Sequence, residues 1–276
     1  MSLTIQFAIN RISAPRLSLE DFCQMVVRLG IDAVEFRNDL PGVEMQDGTP
    51  GSKVGEIARQ HGLKALTINA LYPFDVWDDT RAEQAKTLAS YARECGVQAL
   101  VLCPFNTYDD KRSESERRGD LRKALKALRP ILQDHGLIGH VEPLGFPQSA
   151  LRLKRPAVEA IDEIDGADTF NLLHDTFHHH LASDTDYFPD RTGLVHISGV
   201  VDASVPVSDL LDDHRVLVGE ADVLRNVEQV RELIDRGYRG YFSLEPFAKA
   251  VHELSDPESA IRESLEYFKT RVSELG

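Results

Sequence analysis

His135-Gly-Leu-Ile-Gly-His-Val-Glu142 and Arg236-Gly-Tyr-Arg-Gly-Tyr-Phe-Ser-Leu-Glu245 carry the same phrase: a helix end, a glycine, a short gap, then an apolar strand closing on a carboxylate. Without the closing carboxylate, the phrase recurs at Gly30 before IDAVEF, Gly62 before LKALTI, Gly96 before VQALVL, Gly166 before ADTFNLL and Gly193 before LVHIS. A glycine at such a joint can take the left-handed conformation that ends a helix, because it has no Cβ to clash. Seven joints and an opening strand at Thr4–Asn10 predict eight strands, at a spacing of about 30 to 40 residues that suits βα units. Ser18-Leu-Glu-Asp21, Thr80-Arg-Ala-Glu83 and Ser113-Glu-Ser-Glu116 read as capping boxes that start helices. Residues 222–236 and 256–274 repeat the helical period, with Leu224, Val227, Val230, Leu233 and Ile234 on the buried stripe of the first. Eight alternating units predict one α/β domain over residues 1–276, a (β/α)8 barrel, and not an open doubly wound sheet. The first strand runs into NRISAPRLS, which has no GxGxxG turn. The long connections at 38–52, 72–80, 104–113, 143–156, 178–192 and 200–222 follow strands, part of 178–192 excepted, and should gather on one face.

Composition narrows the chemistry. With 276 residues and 42% hydrophobic content, the chain can bury a full core. Its formal net charge of −14 opposes binding to a phosphate backbone, which needs a basic footprint, and suits a small, uncharged substrate. The basic run at 111–129 has acidic residues interleaved and reads as a solvated helix face. Cys23, Cys95 and Cys103 contain no CxxC pair and read as buried free thiols in a reducing compartment. No signal peptide or membrane-length apolar run is read, so the expected location is the cytoplasm, with no membrane partner and a homodimer as an open possibility.

Four residues suited to one divalent cation end the last four strands: Glu142, Asp175, His196 and Glu245. Any one of them could be a barrel-rim charge in an ion pair. Four in succession point to a metal, since ending apolar strands in unpartnered carboxylates is costly. The carboxylates suit a hard ion, and the imidazole shifts the preference toward Mn²⁺, Co²⁺ or Zn²⁺. Mn²⁺ is the expected ion, with Co²⁺, Zn²⁺ or Mg²⁺ as alternatives. Around Asp175, strand alternation turns His174 away from the barrel mouth. His178 lies beyond the strand end and is read as a substrate contact, with His180 a second candidate. Glu35 and Arg37 end the second strand and Asn69 the third, as polar candidates on the same face; Arg37, Asn69 and, on loops, Arg215 and Trp77 are read as further substrate contacts, Trp77 as an apolar wall or a lid. His61, His135 and His140 are read as structural or exposed.

The ordered set resembles the xylose isomerase-like TIM-barrel superfamily, and within it the inosose (2-keto-myo-inositol) isomerases. The segments that carry the likeness are LTINALYPF (66–74), VEPLGFPQS (141–149), HDTFHHH (174–180), VHISGVVD (195–202), DHRVLVGEAD (213–222) and SLEPF (243–247). The resemblance implies that Glu142, Asp175, His196 and Glu245 bind the metal and that His178 approaches the substrate. Phe146 stands where that family tends to carry histidine, and Val218-Gly-Glu-Ala221 replaces a Pro-Gly-x-Gly loop. Both departures touch substrate-facing loops. The implied reaction is isomerisation of a keto-polyol through an enediolate, with Glu142 and Glu245 as acid and base. A ketose 3-epimerase and a hydroxypyruvate isomerase are the near alternatives; an endonuclease IV-like nuclease and a non-catalytic sugar-binding barrel are the distant ones.

Overall fold

In the computed structural model, which describes residues 5–275, eight parallel strands close into a barrel in sequence order. They are β1 (Gln6–Asn10), β2 (Ala33–Arg37), β3 (Lys64–Leu71), β4 (Ala99–Leu102), β5 (Ile138–Val141), β6 (Phe170–Asp175), β7 (Thr192–Ile197) and β8 (Tyr241–Leu244). Closure comes from β1 pairing with β8, Gln6 to Tyr241 through Ile9 to Leu244. Helices α1 (Leu19–Arg28), α2 (Gly51–Gln60), α3 (Asp79–Cys95), α4 (Glu114–His135) and α5 (Lys154–Glu163) pack outside the sheet. α6 (Thr176–Ala182), α7 (Asn226–Asp235), α8 (Lys249–His252) and α9 (Pro257–Glu274) follow. The (β/α)8 barrel expected from the repeating phrase is the fold. Thr4 of the expected opening strand lies outside the described residues.

Strand alternation sorts the side chains into two layers. Phe7, Ile9, Val34, Phe36, Leu100, Val195 and Leu244 point outward and join the helix faces in the main core. Ala8, Ala33, Leu66, Val101, Leu173 and Leu194 point inward and form an apolar floor inside the barrel. Two residues further along a strand, the side chain returns to the same face. Five of these floor residues are therefore followed, one layer higher, by Asn10, Glu35, Cys103, Asp175 and His196. The same count from His140 and Ser243 reaches Glu142 and Glu245. The hydrophobic floor thus lifts a ring of polar groups to the C-terminal rim.

Several local expectations need correction. Five of the seven joint glycines have positive φ, but Gly166 and Gly193 do not. Asp165, at φ 51°, takes the left-handed position before β6. Gly193 lies inside β7, where a Cβ would meet the His140 ring at 2.3 Å. The box at Thr80 does not form; Asp78 caps α3 by accepting from Arg81 N at 2.7 Å. Ser18 and Ser113 cap α1 and α4 as expected. α7 starts at Asn226 and not at 222, because the Asp222 carboxylate accepts from the backbone amides of Val200, Leu224 and Asn226 and holds that stretch as a turn. Leu224 consequently packs in a separate cluster with Phe146 and Phe177. The connection expected at 178–192 is shorter, since α6 begins directly after β6 and buries Phe177 and Leu181, four residues apart, on one face.

Candidate metal centre and active-site pocket

Glu142, Asp175, His196 and Glu245 each offer one donor atom, and these atoms lie within 4.8 Å of one another. All four residues are buried. Asp175 and His196 are register partners on β6 and β7, which places them side by side. His196 Nε2 contacts Glu35 Oε2 at 3.1 Å, and a carboxylate can only accept, so the proton sits on Nε2. In the neutral ring Nδ1 then turns its lone pair toward Glu245 Oε2 at 3.0 Å, Glu142 Oε1 at 3.5 Å and Asp175 Oδ2 at 3.9 Å, with no hydrogen-bond partner among the described residues. Acceptors facing acceptors in a buried site repel unless a cation or a proton stands between them. In the bare chain, burial pushes the His196 pKa down, but Glu245 and Glu35 more than reverse this and hold it well above its usual value. The donor set therefore fits a divalent ion, with a carboxylate on the far side of the ligating imidazole, an arrangement that orients metal-bound histidines.

Charge bookkeeping agrees. Glu35, Glu142, Asp175 and Glu245 are four buried carboxylates, and Arg37 and Arg215 are the two buried guanidiniums beside them, which leaves two negative charges. Arg37 donates through Nη1 to Glu245 Oε1 at 2.6 Å and through Nε and Nη2 to Asp39. Arg215 Nη2 bridges Asp175 Oδ2 at 2.6 Å and Glu245 Oε2 at 3.0 Å, while its Nε donates to Ser198. Both guanidiniums stack on the Phe247 ring, at 5.0 and 4.6 Å. Burial pushes the Glu245 carboxyl up, but His196, Arg215 and Arg37 outweigh it and hold the group well below the usual carboxylate range. Glu142 is held more loosely: its one side-chain donor is Cys103 Sγ, at 3.2 Å from Oε2.

Above the cluster opens a cavity of about 250 Å³ whose walls include Tyr72, Leu144, Phe146 and Phe247. Arg37, Asn69, His178 and Arg215 also line it, so four of the expected substrate contacts gather there. Asn69 Nδ2 donates to Glu35 Oε2 at 3.1 Å. Two expectations fall elsewhere. Trp77 packs half-buried against the main core, where its carbonyl accepts from Lys123, because the 72–80 loop turns Phe74 and Trp77 inward while Tyr72 and Val76 stay exposed. His180 lies on the outer side of α6 and lines a groove against α7, since the helix turns it away from the face that carries His178. His174 faces away from the mouth, against Gln229, as strand alternation requires. Sequence reasoning missed the placing of Cys103 and Phe247 and the bond from Glu35 to His196. The two-residue step from Val101 and Ala33 was the available signal for Cys103 and Glu35.

A family model for xylose isomerase-like TIM barrels matches residues 23–271. The chain belongs to that family. Another xylose isomerase-like barrel, a xylose isomerase domain containing protein from Salmonella typhimurium LT2, is 35% identical, with 98% of this chain and 99% of that chain covered and a TM-score of 0.89. The IolI protein, whose structure holds a zinc atom, is 22% identical over 98% of this chain and 99% of that one, with a TM-score of 0.85. D-psicose 3-epimerase from Clostridium cellulolyticum H10, solved with D-tagatose, is 13% identical over 97% of this chain and 99% of that one, with a TM-score of 0.71. The last two likenesses establish shared fold. No curated protein matches the sequence significantly. No helix among the described residues is long and apolar enough to cross a membrane.

Proposed function

We propose that this xylose isomerase-like barrel is a divalent-metal-dependent isomerase of a neutral keto-polyol, with 2-keto-myo-inositol the substrate to test first. The observation that carries the reading is the place of His196 Nδ1, 3.0 to 3.9 Å from three buried carboxylate oxygens at the barrel mouth. When bound there, a divalent ion, Mn²⁺ in this reading, would polarise a substrate carbonyl and hold the neighbouring hydroxyl. Glu142 takes the carbon-bound proton next to the carbonyl, because it lines the pocket and its Oε2 carries only a weak thiol donor. Glu245, held as an anion by two guanidiniums, has no proton to give and would serve to hold the ion. The enediolate that forms draws a hydrogen bond from His178; Glu142 returns its proton to the adjacent carbon while the neighbouring hydroxyl proton passes to the former carbonyl oxygen, and the ketone moves. Return to the opposite face of the same carbon gives an epimer instead.

Two observations weigh against the other readings. Both guanidiniums in the pocket are engaged by protein carboxylates, which leaves no unpaired guanidinium or ammonium among the described lining residues for an acid such as hydroxypyruvate. The cluster of four is the only candidate metal group among the described residues, and the net charge of −14 opposes a nuclease. Incubation with 2-keto-myo-inositol and with ketoses in D₂O with Mn²⁺, followed by NMR, tests the proposal. Deuterium at the carbon next to a carbonyl supports it and names the product; no exchange into any polyol ketone rejects it.

A further inference from the structure

Behind the pocket wall lies a charged group that the proposed reaction does not use. Lys154, which opens α5, is buried, and its ammonium donates to His179 Nδ1 at 2.6 Å and to Asp184 Oδ2 at 3.0 Å. The Lys154 backbone amide donates to the same Asp184 oxygen at 3.1 Å, tying the start of α5 to the turn after α6. An ammonium has three donors, so one remains. Beside it is a small cavity of about 10 Å³, bordered by Lys154, Leu173, Asp175, His178, His179 and Asp184. That is the room a single water centre needs.

His178 stands between this cavity and the barrel-mouth pocket and lines both. Its residue is 4% exposed, and Phe146 and Phe177 hold the ring edge-on at 5.1 and 5.2 Å. Its Nδ1 is buried with no hydrogen-bond partner. A buried ring nitrogen left unpaired is costly, and a one-water site with a spare ammonium proton beside it supplies the remedy.

We propose that an ordered water in this cavity accepts the third Lys154 proton and donates to His178 Nδ1, making Lys154 a positioning residue that fixes His178 with its proton on Nε2. The second water proton is available to the Asp175 or Asp184 carboxylate at the cavity wall. The His178 Nε2–H is thereby aimed at the substrate pocket, a position that an unpaired ring would share with its other tautomer. The tautomer follows from this chain's own contacts, and only its kinetic consequence rests on the proposed reaction.

Long-range ¹H–¹⁵N spectra of ¹⁵N-histidine protein loaded with diamagnetic Zn²⁺ read the tautomer directly, with His178→Gln assigning the resonances. Wild type should show His178 protonated at Nε2, and Lys154→Met should show mixed tautomers. A proton on Nδ1 in wild type, or an unchanged tautomer in Lys154→Met, overturns the proposal. If Lys154→Met fails to fold, Lys154→Met/Asp184→Leu removes both buried charges together and takes its place. With 2-keto-myo-inositol, Lys154→Met should lower kcat about tenfold at nearly constant KM and add nothing in a His178→Gln background. A full additional loss in that background makes Lys154 merely structural and also overturns the proposal. Absence of turnover with every ketone removes the proposed reaction and leaves the tautomer test to decide alone.

Discussion

Glu35 is absent from the pocket lining, yet its Oε2 holds the Nε2 proton of His196 and so would turn Nδ1 to the proposed metal. Losing such an outer partner typically costs about 10- to 100-fold in metal affinity. Glu35→Gln should therefore weaken Mn²⁺ binding by that order in a chelator-competition titration, and unchanged affinity would remove this role. Glu142→Gln should retain substrate binding and slow solvent exchange by about 10²- to 10⁴-fold, the usual worth of a positioned base, read by NMR in D₂O. Near-normal exchange in a folded, metal-loaded variant would transfer the proton step elsewhere. The four clustered residues were legible because each ends an apolar run, and a strand end has one direction to point. Trp77 and His180 were misread for the complementary reason. Trp77 sits on a loop, where no period fixes a side chain's direction, and His180 on a short helix that the sequence pattern did not reveal.

Among the elements, helix contacts make sharper demands than helix propensity. Gly55 in α2 lies against α3 so closely that a Cβ would meet the Cys95 carbonyl oxygen at 2.2 Å. Gly119 in α4 has nothing within 4 Å of the same position. Gly55→Ala should then cost about 1 to 3 kcal/mol through overpacking, while Gly119→Ala should gain about 0.4 to 1 kcal/mol by restricting the unfolded chain. Urea unfolding of the two variants checks both signs, and equal effects would show that the α2–α3 approach is not tight. α1 and α4 were readable from Ser18 and Ser113, whose hydroxyls sit beside the amides they cap. α6 was not, because HDTFHHHL (174–181) hides a short helical pair, Phe177 and Leu181, among histidines that carry no apolar period. The start of α7 depended on Asp222 reaching back to Val200, a contact no local pattern records.

The whole molecule buries several histidines in their neutral form. Burial, then the neighbouring Lys154, pushes the His179 pKa down to about 3, and burial pushes His140 down to about 4. The unfolded chain takes up these protons near pH 6.5 and the folded chain does not, so stability is lost as pH falls below that value, by up to about 1.4 kcal/mol per pH unit per group. Measured as a difference, so that other groups cancel, the stability gap between wild type and His179→Gln should shrink from pH 7 to pH 5. A constant gap would mean that His179 titrates normally when folded. Barrel architecture was legible at this scale because the joint recurs before nearly every strand, whereas the meeting of β1 with β8 is written in no local segment. That closure brings Glu245 within reach of Arg37 and Asn10, so the charge balance at the mouth is a property of the ring. Anomalous diffraction at the manganese edge, from crystals grown with saturating Mn²⁺, measures that balance most directly. One peak per chain at about 2.0 to 2.3 Å from donor atoms of Glu142, Asp175, His196 and Glu245 is the expected result. A peak outside this set, or none at the barrel mouth, would contradict it.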